Sequence, residues 1–280
     1  MLNVCDLSTD GCFTLGATVG AVVAIAGHPN LSIAAAMAAG IASGFITAIL
    51  QANKGINSLL AGIIVNTGLY SINIAVMSGS SILNMNKTDT VFTKMAALVK
   101  GTPVARQSKL FVAIIAVAAV AVILGLFLKT RLGLAIRATG DNPDMVRSSS
   151  VNTAFTTIIG LCVANSFPAL SGSLLAQSKC SVNIDIGTGM VTIAIASLLI
   201  GGVFLGRKKM PLRIFGMVLG AFKFWLIYTI ALRFDMPAFM LKFVSSVIVI
   251  AAIATPYFKK QLPLLKRRIQ TRSGRRKADA

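Results

Sequence analysis

Apolar residues in this sequence fall into long runs that are separated by short polar or basic segments. Most runs reach, or nearly reach, the roughly 20 residues that a helix needs to cross about 30 Å of hydrocarbon. We therefore expect an all-α, polytopic membrane helix bundle of about eight transmembrane segments. The runs cover residues 12–27, 31–50, 55–77, 109–128, 153–177, 187–206, 214–232 and 238–258.

The first two runs are joined by the tight turn Gly27-His28-Pro29-Asn30, and the first of them is short. This pair forms either two full spans or one re-entrant hairpin, and the sequence leaves both open. The second run is rich in small residues, especially over 34–44. Small residues let helix backbones approach closely in a membrane, so we expect a tightly packed bundle.

The composition excludes a soluble globular protein. Hydrophobic residues make up 55% of the 280 residues, and the mean hydropathy is +0.81. Charged residues make up only 12%, about half of the usual quarter. A soluble protein this apolar could not cover its surface with polar groups. We predict a transmembrane domain over residues 1–258 and a basic cytoplasmic tail over 259–280.

The net charge of +19 raises the question of nucleic-acid binding, and the distribution of the charge answers it. Basic residues lie mainly in the tail and between the apolar runs, which is the pattern of the positive-inside rule. A nucleic-acid groove would need them on one folded surface. We expect no nucleic-acid partner, a tail that contacts anionic membrane lipid, and both chain ends in the cytoplasm. Residues 129–152 then lie in the cytoplasm too, and the basic loop 78–108 is an exception outside.

The sequence contains no catalytic or metal-binding constellation. His28 is its only histidine and lies in a turn, so neither a metal–histidine cluster nor a Ser/His/Asp triad can form. The GxxxxGK[ST] phosphate loop is absent as well. We expect a protein that is not an enzyme and has no cofactor or metal site. Nucleotide energy for transport would have to come from another chain.

The segment 129–152 carries the clearest local signals. Residues 132–138 are typical of the end of a helix, which Gly140 can stop. Asp141 or Asn142 can then cap a new short helix with Pro143 at its first position. Such a helix either presents a compact surface to a soluble partner or is an ordinary turn between two spans.

Three motifs in register resemble bacterial ABC-importer permeases of the branched-chain amino acid and ribose type. The motifs extend over nearly the whole chain, and the subgroup that they resemble most takes up amino acids, with tryptophan or tyrosine as the finer assignment. The first motif is Asp6-Leu7-Ser8-Thr9-Asp10-Gly11 with Leu15-Gly16-Ala17. The second is Arg137-Ala138-Thr139-Gly140-Asp141-Asn142-Pro143-Asp144 with Ser150-Val151-Asn152. The third is Ala231-Leu232-Arg233-Phe234-Asp235-Met236-Pro237-Ala238 with Leu241-Lys242.

The resemblance implies a permease subunit of an ATP-driven ABC importer that moves a small solute, an amino acid in this subgroup, across the bacterial cytoplasmic membrane. It also implies a cytoplasmic ABC ATPase, an extracytoplasmic substrate-binding protein and a second permease copy, most simply in a homodimer. ATP-driven closure of the ATPases would rock the two bundles between outward and inward openings. The residues expected to couple to the ATPase are Arg137, Ala138, Thr139, Gly140, Asp141, Asn142, Pro143, Met145 and Val146.

Polar side chains in or next to the apolar runs are candidates for the substrate path. An unpartnered amide is costly within an apolar helix, so the asparagines either line the path or hydrogen-bond between helices. The interhelical role is favoured for them. The candidates are Asp6, Asp10, Asn66, Asn73 and Asn165.

The main alternative is an ion-coupled secondary transporter. Such proteins place ionisable residues or broken helices near the membrane midplane. The predicted spans contain Lys223 and no acidic residue, which argues against ion coupling. A purely structural membrane protein is a second alternative, but it would not need a capped cytoplasmic helix with this motif.

Two features depart from the family pattern. Gly202 stands where many relatives carry an acidic residue. Any contact that the acidic side chain makes in those relatives is therefore in doubt for this chain. Only residues 1–5 precede the Asp6 motif, whereas family members carry another hydrophobic helix there. We therefore expect the natural product to begin about 20 apolar residues earlier.

Overall fold

The computed structural model describes residues 6–54, 56–86, 88–98, 108–205 and 210–233, together with residues 2, 4, 243, 245–251 and 254. Within these residues the chain is a helical bundle, as predicted, and it divides into two units, Met1–Val191 and Thr192–Ala280. The helices are α1 (Thr9–Ile25), α2 (Pro29–Lys54), α3 (Ser58–Val76), α4 (Val91–Leu98), α5 (Ser108–Phe127), α6 (Arg131–Asp141), α7 (Pro143–Ser148), α8 (Thr153–Lys179), α9 (Met190–Leu205) and α10 (Met210–Leu232).

Six segments of the described chain are long and apolar enough to cross a membrane. They lie in α2, α3, α5, α8 and α10 and in Ile184–Gly202, which includes most of α9. The helix α2 has 26 residues, whereas α1 has 17 and is shorter than the roughly 20 that a span needs. Of the first pair, therefore, only α2 has the length of a full span. The predicted run 238–258 lies mostly outside the described residues, and the tail 259–280 lies wholly outside them.

The helix α1 lies at the core of the first unit, where it packs against α2, α3 and α8. It is apolar around its whole circumference, and a helix of this kind is buried rather than placed at a surface. The pattern along the sequence thus explains why a short helix is central. Its buried residues are Gly11, Cys12, Phe13, Thr14, Leu15, Gly16, Ala17, Thr18, Gly20, Ala21 and Ala24.

Close helix contacts in this core depend on small residues, as predicted. A Cβ atom at Gly16 of α1 would collide with the backbone of Ala169 in α8. A Cβ atom at Gly44 of α2 would lie 2.6 Å from the carbonyl oxygen of Leu161, also in α8. Helices in lipid associate through such close packing rather than through a hydrophobic drive.

A two-stranded antiparallel sheet joins the ends of α3 and α8, which the hydropathy pattern does not predict. Strands β1 (Ile82–Asn84) and β2 (Ser181–Asn183) pair with Leu83 opposite Val182. Val182 is buried with Met77 and Met85 against the ends of α1 and α8. The 3₁₀ helix Ile184–Gly187 follows directly and packs back onto α1.

The second unit contains α10 and nearly all of α9. Gly201 of α9 approaches the backbone of Gly216 in α10. Phe224 of α10 is fully buried and packs with Ala196 and Ile248. The small-residue packing of the first unit is therefore repeated in this helix pair.

Candidate functional site

The segment between α5 and α8 forms two short helices, α6 and α7. Residues 132–138 lie in a helix, as predicted; this helix, α6, begins at Arg131 after α5 has ended at Phe127, and it ends at Asp141, three residues beyond the predicted end. The hydroxyl of Thr130 caps the new helix by accepting the Gly133 N–H at 3.2 Å. A side-chain contact of 3.0 Å between Thr139 Oγ1 and Thr156 Oγ1 then holds α6 against α8.

Asn142 separates α6 from α7 and caps the second helix, as predicted. Its backbone is extended, with φ −153° and ψ 99°, and its side-chain oxygen accepts the N–H groups of Asp144 and Met145, each at 3.1 Å. Pro143 follows at the first position of α7, where a missing N–H costs nothing.

Gly140 does not stop the helix, contrary to the prediction. The helix α6 continues through Gly140 to Asp141. It ends there because the residue before a proline is disfavoured in the helical region, and Asn142 is that residue. Gly140 is instead buried within the helix.

Burial divides the nine predicted coupling residues into two groups. Thr139, Gly140 and Val146 are buried, with Val146 only 6% exposed, so they hold the two helices in place. Met145 is the most exposed large apolar residue here, at 67%. Arg137 is half-buried, and the residues that share the exposed side with Met145 are Ala138, Asp141, Asn142 and Pro143.

Replacement of Asn142 by alanine tests this cap. Losing the two accepted hydrogen bonds should cost α7 about 1 kcal/mol, which corresponds to about fivefold faster amide exchange if α7 opens locally. Hydrogen-exchange mass spectrometry of peptides from 141–150 measures the effect, with 160–176 of α8 as an internal reference. Asn142→Asp should retain slow exchange, since aspartate caps equally well. Equal exchange in wild type and Asn142→Ala would contradict the role of this cap.

A cavity of about 300 Å³ lies in the first unit, between α1, α3 and the 3₁₀ helix. Most of its lining residues have polar side chains, and we call it the polar cavity. It brings together three of the five predicted substrate-path residues, Asp10, Asn66 and Asn73. The cavity is lined by Asp10, Gly11, Thr14, Asn66, Thr67, Tyr70, Asn73, Ile184, Asp185 and Thr188.

Asp10 joins the start of α1 to the start of α9. Its Oδ2 accepts the Gly189 N–H at 3.1 Å and its Oδ1 accepts the Val191 N–H at 2.8 Å. N–H groups at a helix start have no partner within the helix, and a carboxylate there is favoured by the helix dipole. The first apolar run was predicted to begin at 12, but α1 begins at Thr9. An acidic residue therefore does lie within an apolar helix, contrary to the prediction that the apolar segments contain none.

Asn73 and Asn66 reach the cavity from α3. The Nδ2 group of Asn73 donates to the Gly11 carbonyl oxygen at 3.3 Å, which is the predicted bond between helices. Asn66 Oδ1 lies beside Gly11, and a Cβ atom there would be only 2.6 Å away. Asn73 is thus both an interhelical contact and a lining residue.

Asp6 and Asn165 lie apart from the cavity and bond to each other. The Nδ2 group of Asn165 donates to Asp6 Oδ2 at 2.9 Å, and Asp6 Oδ1 accepts the Ser8 N–H at 2.8 Å. The backbone oxygen of Asn165 accepts from the Cys12 thiol at 3.1 Å. The structure places these two residues as links between α8 and the chain around the start of α1.

The cavity residues that were not predicted include those of 184–188, such as Asp185, and Thr67 and Tyr70 of α3. The run beginning at 187 was treated as the start of a span, and 178–186 as a loop. The available signal was Asn183 ahead of Asp185, since Asn183 Oδ1 accepts the Asp185 N–H at 3.1 Å and starts the 3₁₀ helix.

The described chain has six segments long and apolar enough to cross a membrane, and polar side chains line a cavity beside them, between α1, α3 and the 3₁₀ helix. These features define a multi-pass membrane transport protein, because polar and ionisable groups among such helices mark solute pathways. The chain matches the family described as "Branched-chain amino acid transport system / permease component" over residues 1–253. The chain belongs to this family. It is a permease of the ABC type in the bacterial cytoplasmic membrane.

Three relatives show the range of this family. The chain is 31% identical to a tyrosine transport system permease protein of Clostridioides difficile, over 91% of this chain and 83% of that protein. It is 28% identical to the ribose import permease protein RbsC of Escherichia coli, over 77% of this chain and 65% of that protein. It is 30% identical to the autoinducer 2 import system permease protein LsrC of Escherichia coli, over 46% of this chain and 37% of that protein. No solved structure matches the chain.

Proposed function

We propose that the chain is the membrane subunit of an ATP-driven importer for a small solute, with an amino acid as the solute. An ABC ATPase docks on α7, a substrate-binding protein docks at the opposite end, and a second copy of the chain completes the pathway. The chain breaks and forms no bonds in the solute, so it is not an enzyme.

The main observation that supports this proposal is the geometry of α7. The helix is fixed from both sides, by the Asn142 cap at its start and by the Ser148 and Ser149 hydroxyls, which donate to the Met145 carbonyl oxygen at 2.8 and 3.1 Å. Val146 is buried, while Met145 points its apolar side chain outward. A rigid short helix with one exposed apolar side chain is suited to transmit the motion of a soluble partner, because a flexible turn would absorb that motion.

The assignment of an amino acid as the solute is supported by the name of one relative and by the lining and volume of the cavity. The relative with 31% identity is described as a tyrosine transport permease. The cavity of about 300 Å³ is lined mostly by residues with polar side chains, and it lies at the small end of the range for ligand pockets. A small polar solute fits these features better than a large or apolar one.

Uptake by proteoliposomes tests the proposal. The full chain is reconstituted with the ATPase and the binding protein that purify with it from native membranes, and uptake of labelled tyrosine and of labelled ribose is followed. We expect tyrosine uptake that requires internal ATP and is unchanged when ion gradients are collapsed. Uptake driven by an imposed ion gradient without ATP would establish the secondary transporter instead. ATP-driven uptake of ribose alone would keep the importer and remove the amino-acid assignment.

A further inference from the structure

We propose that the polar cavity selects solutes with an ammonium group, which it binds through the Asp10 and Asp185 carboxylates and the Asn73 side-chain oxygen. The proposal rests on the function proposed above and gives the cavity a chemical specificity of its own. It also assigns a ligand-binding role to Asp185, which lies outside the three motifs that carry the family resemblance.

The described residues that line the cavity offer an excess of hydrogen-bond acceptors. Two of these residues carry carboxylates, and none of them is lysine, arginine or histidine. Two carboxylates that line one site favour a cation and repel an anion. Asp10 is half-buried, whereas Asp185 is exposed, so the attraction is screened less at Asp10. A neutral sugar would not benefit from this charge.

The Oδ1 atom of Asn73 is a buried acceptor without a donor among the described residues. Asn73 is 1% exposed and lines the cavity. Its amide orientation follows from chemistry, because the Gly11 carbonyl oxygen can only accept and must therefore face Nδ2. A buried acceptor left unpaired is costly, and a ligand N–H group in the cavity would satisfy it.

Asp10 is held rigidly with capacity left for a ligand. Each of its oxygens accepts one backbone N–H group, whereas a carboxylate has about four acceptor positions. The bonds to Gly189 and Val191 therefore fix the carboxylate in place without saturating it. A site fixed in this way needs little reorganisation when a cation arrives.

An ammonium group matches this set of acceptors. It has three donors and no acceptor, and the two carboxylates and the Asn73 amide oxygen supply three acceptor groups. Tyr70, which is 50% exposed, adds an aromatic ring, whose face attracts cations. The carboxylate of an amino acid would have to lie away from Asp10 and Asp185.

Binding to the full chain in lipid nanodiscs tests the cavity without the ATPase or the binding protein. Three probes of similar shape are compared by saturation-transfer NMR titration: tyrosine, tyramine, which lacks the carboxylate, and 3-(4-hydroxyphenyl)propionate, which lacks the amine. We expect tyrosine and tyramine to bind, and the propionate to bind at least about tenfold more weakly, as charge-assisted hydrogen bonds are lost.

Asp185→Asn is the variant that tests the site, because it removes the negative charge but keeps the backbone N–H group that donates to Asn183 Oδ1. We expect it to weaken tyramine binding about tenfold. Asp89→Asn is the control, since Asp89 is exposed like Asp185 but is not part of the cavity lining. It should bind tyramine like the wild type.

Three outcomes would overturn the proposal: equal binding of the propionate and tyramine, equal effects of the two aspartate variants, or displacement of tyramine by sodium at comparable concentration. The last result would make the cavity an inorganic cation site. ATP-dependent uptake is scored separately. Uptake that persists while the propionate binds as well as tyramine leaves the importer in place and removes only the ammonium specificity. Selective amine binding without ATP-dependent uptake would keep the ammonium specificity of the cavity and remove the proposed importer function.

Discussion

Replacement of Met145 by aspartate is expected to abolish ATP-driven uptake while the bundle remains folded. Met145 is 67% exposed on α7, so the substitution should disturb little packing among the described residues. In the proposed complex this side chain enters a pocket of the ATPase, where a carboxylate would be buried without a partner. Truncating a central interface residue often costs 2 kcal/mol or more, and an unpaired buried charge costs further. Uptake in proteoliposomes should fall by about 30-fold or more.

Met145→Leu is the matched control, because it keeps an apolar side chain of similar volume and should retain most of the uptake. Size-exclusion chromatography of the detergent-solubilised variants checks that both fold like the wild type. If Met145→Asp supports wild-type uptake with the same ATPase, α7 is not the docking surface. Loss of uptake in both variants, with folding intact, would point to a contact that depends on the thioether itself.

The helices could be predicted from hydropathy because lipid leaves the backbone few alternatives. An apolar segment in a bilayer must satisfy its backbone groups internally, and a helix does so within one run. The run 153–177 corresponds to α8, and 55–77 to α3. The strands β1 and β2 have three residues each, which is too short for a periodic pattern to appear in the sequence.

The cap at Asn142 could be predicted because it depends on residues within three positions of one another. The position at which α6 ends was predicted wrongly, since glycine was chosen as the stop signal. Proline three residues further on had the stronger effect, because it restricts the residue before it. Both signals were present in the sequence, and their relative strength decided the boundary.

The cavity could be predicted only in part, because it combines positions far apart in the chain. Asp10 and Asn73 were recognised as polar residues in or near apolar runs, whereas Asp185 was treated as part of an outer loop. The return of 184–188 onto α1 depends on the bonds from Gly189 and Val191 to Asp10. Nothing local to either segment reveals this pairing.

Replacement of Gly16 by valine is expected to prevent α1 from docking on α8. A Cβ atom at Gly16 would overlap the backbone of Ala169, and backbone cannot move aside as a flexible side chain can. Overpacking in a close-packed core typically costs about 1–3 kcal/mol and sometimes more. The cost should be at the upper end here, because α1 is central and packs against three helices. The measurement is the thermal midpoint of the detergent-solubilised protein, followed by fluorescence-detected size-exclusion chromatography.

Gly68→Val separates packing from the intrinsic effect of replacing a helical glycine. Gly68 lies in the middle of α3, and a Cβ atom there would meet nothing within 4 Å among the described residues. Both glycines have negative φ, so valine changes helix propensity by similar amounts at the two positions. We therefore expect Gly68→Val to melt near the wild-type midpoint and Gly16→Val to melt well below it or to aggregate. Equal midpoints for the two variants would show that the close contact between α1 and α8 does not limit stability.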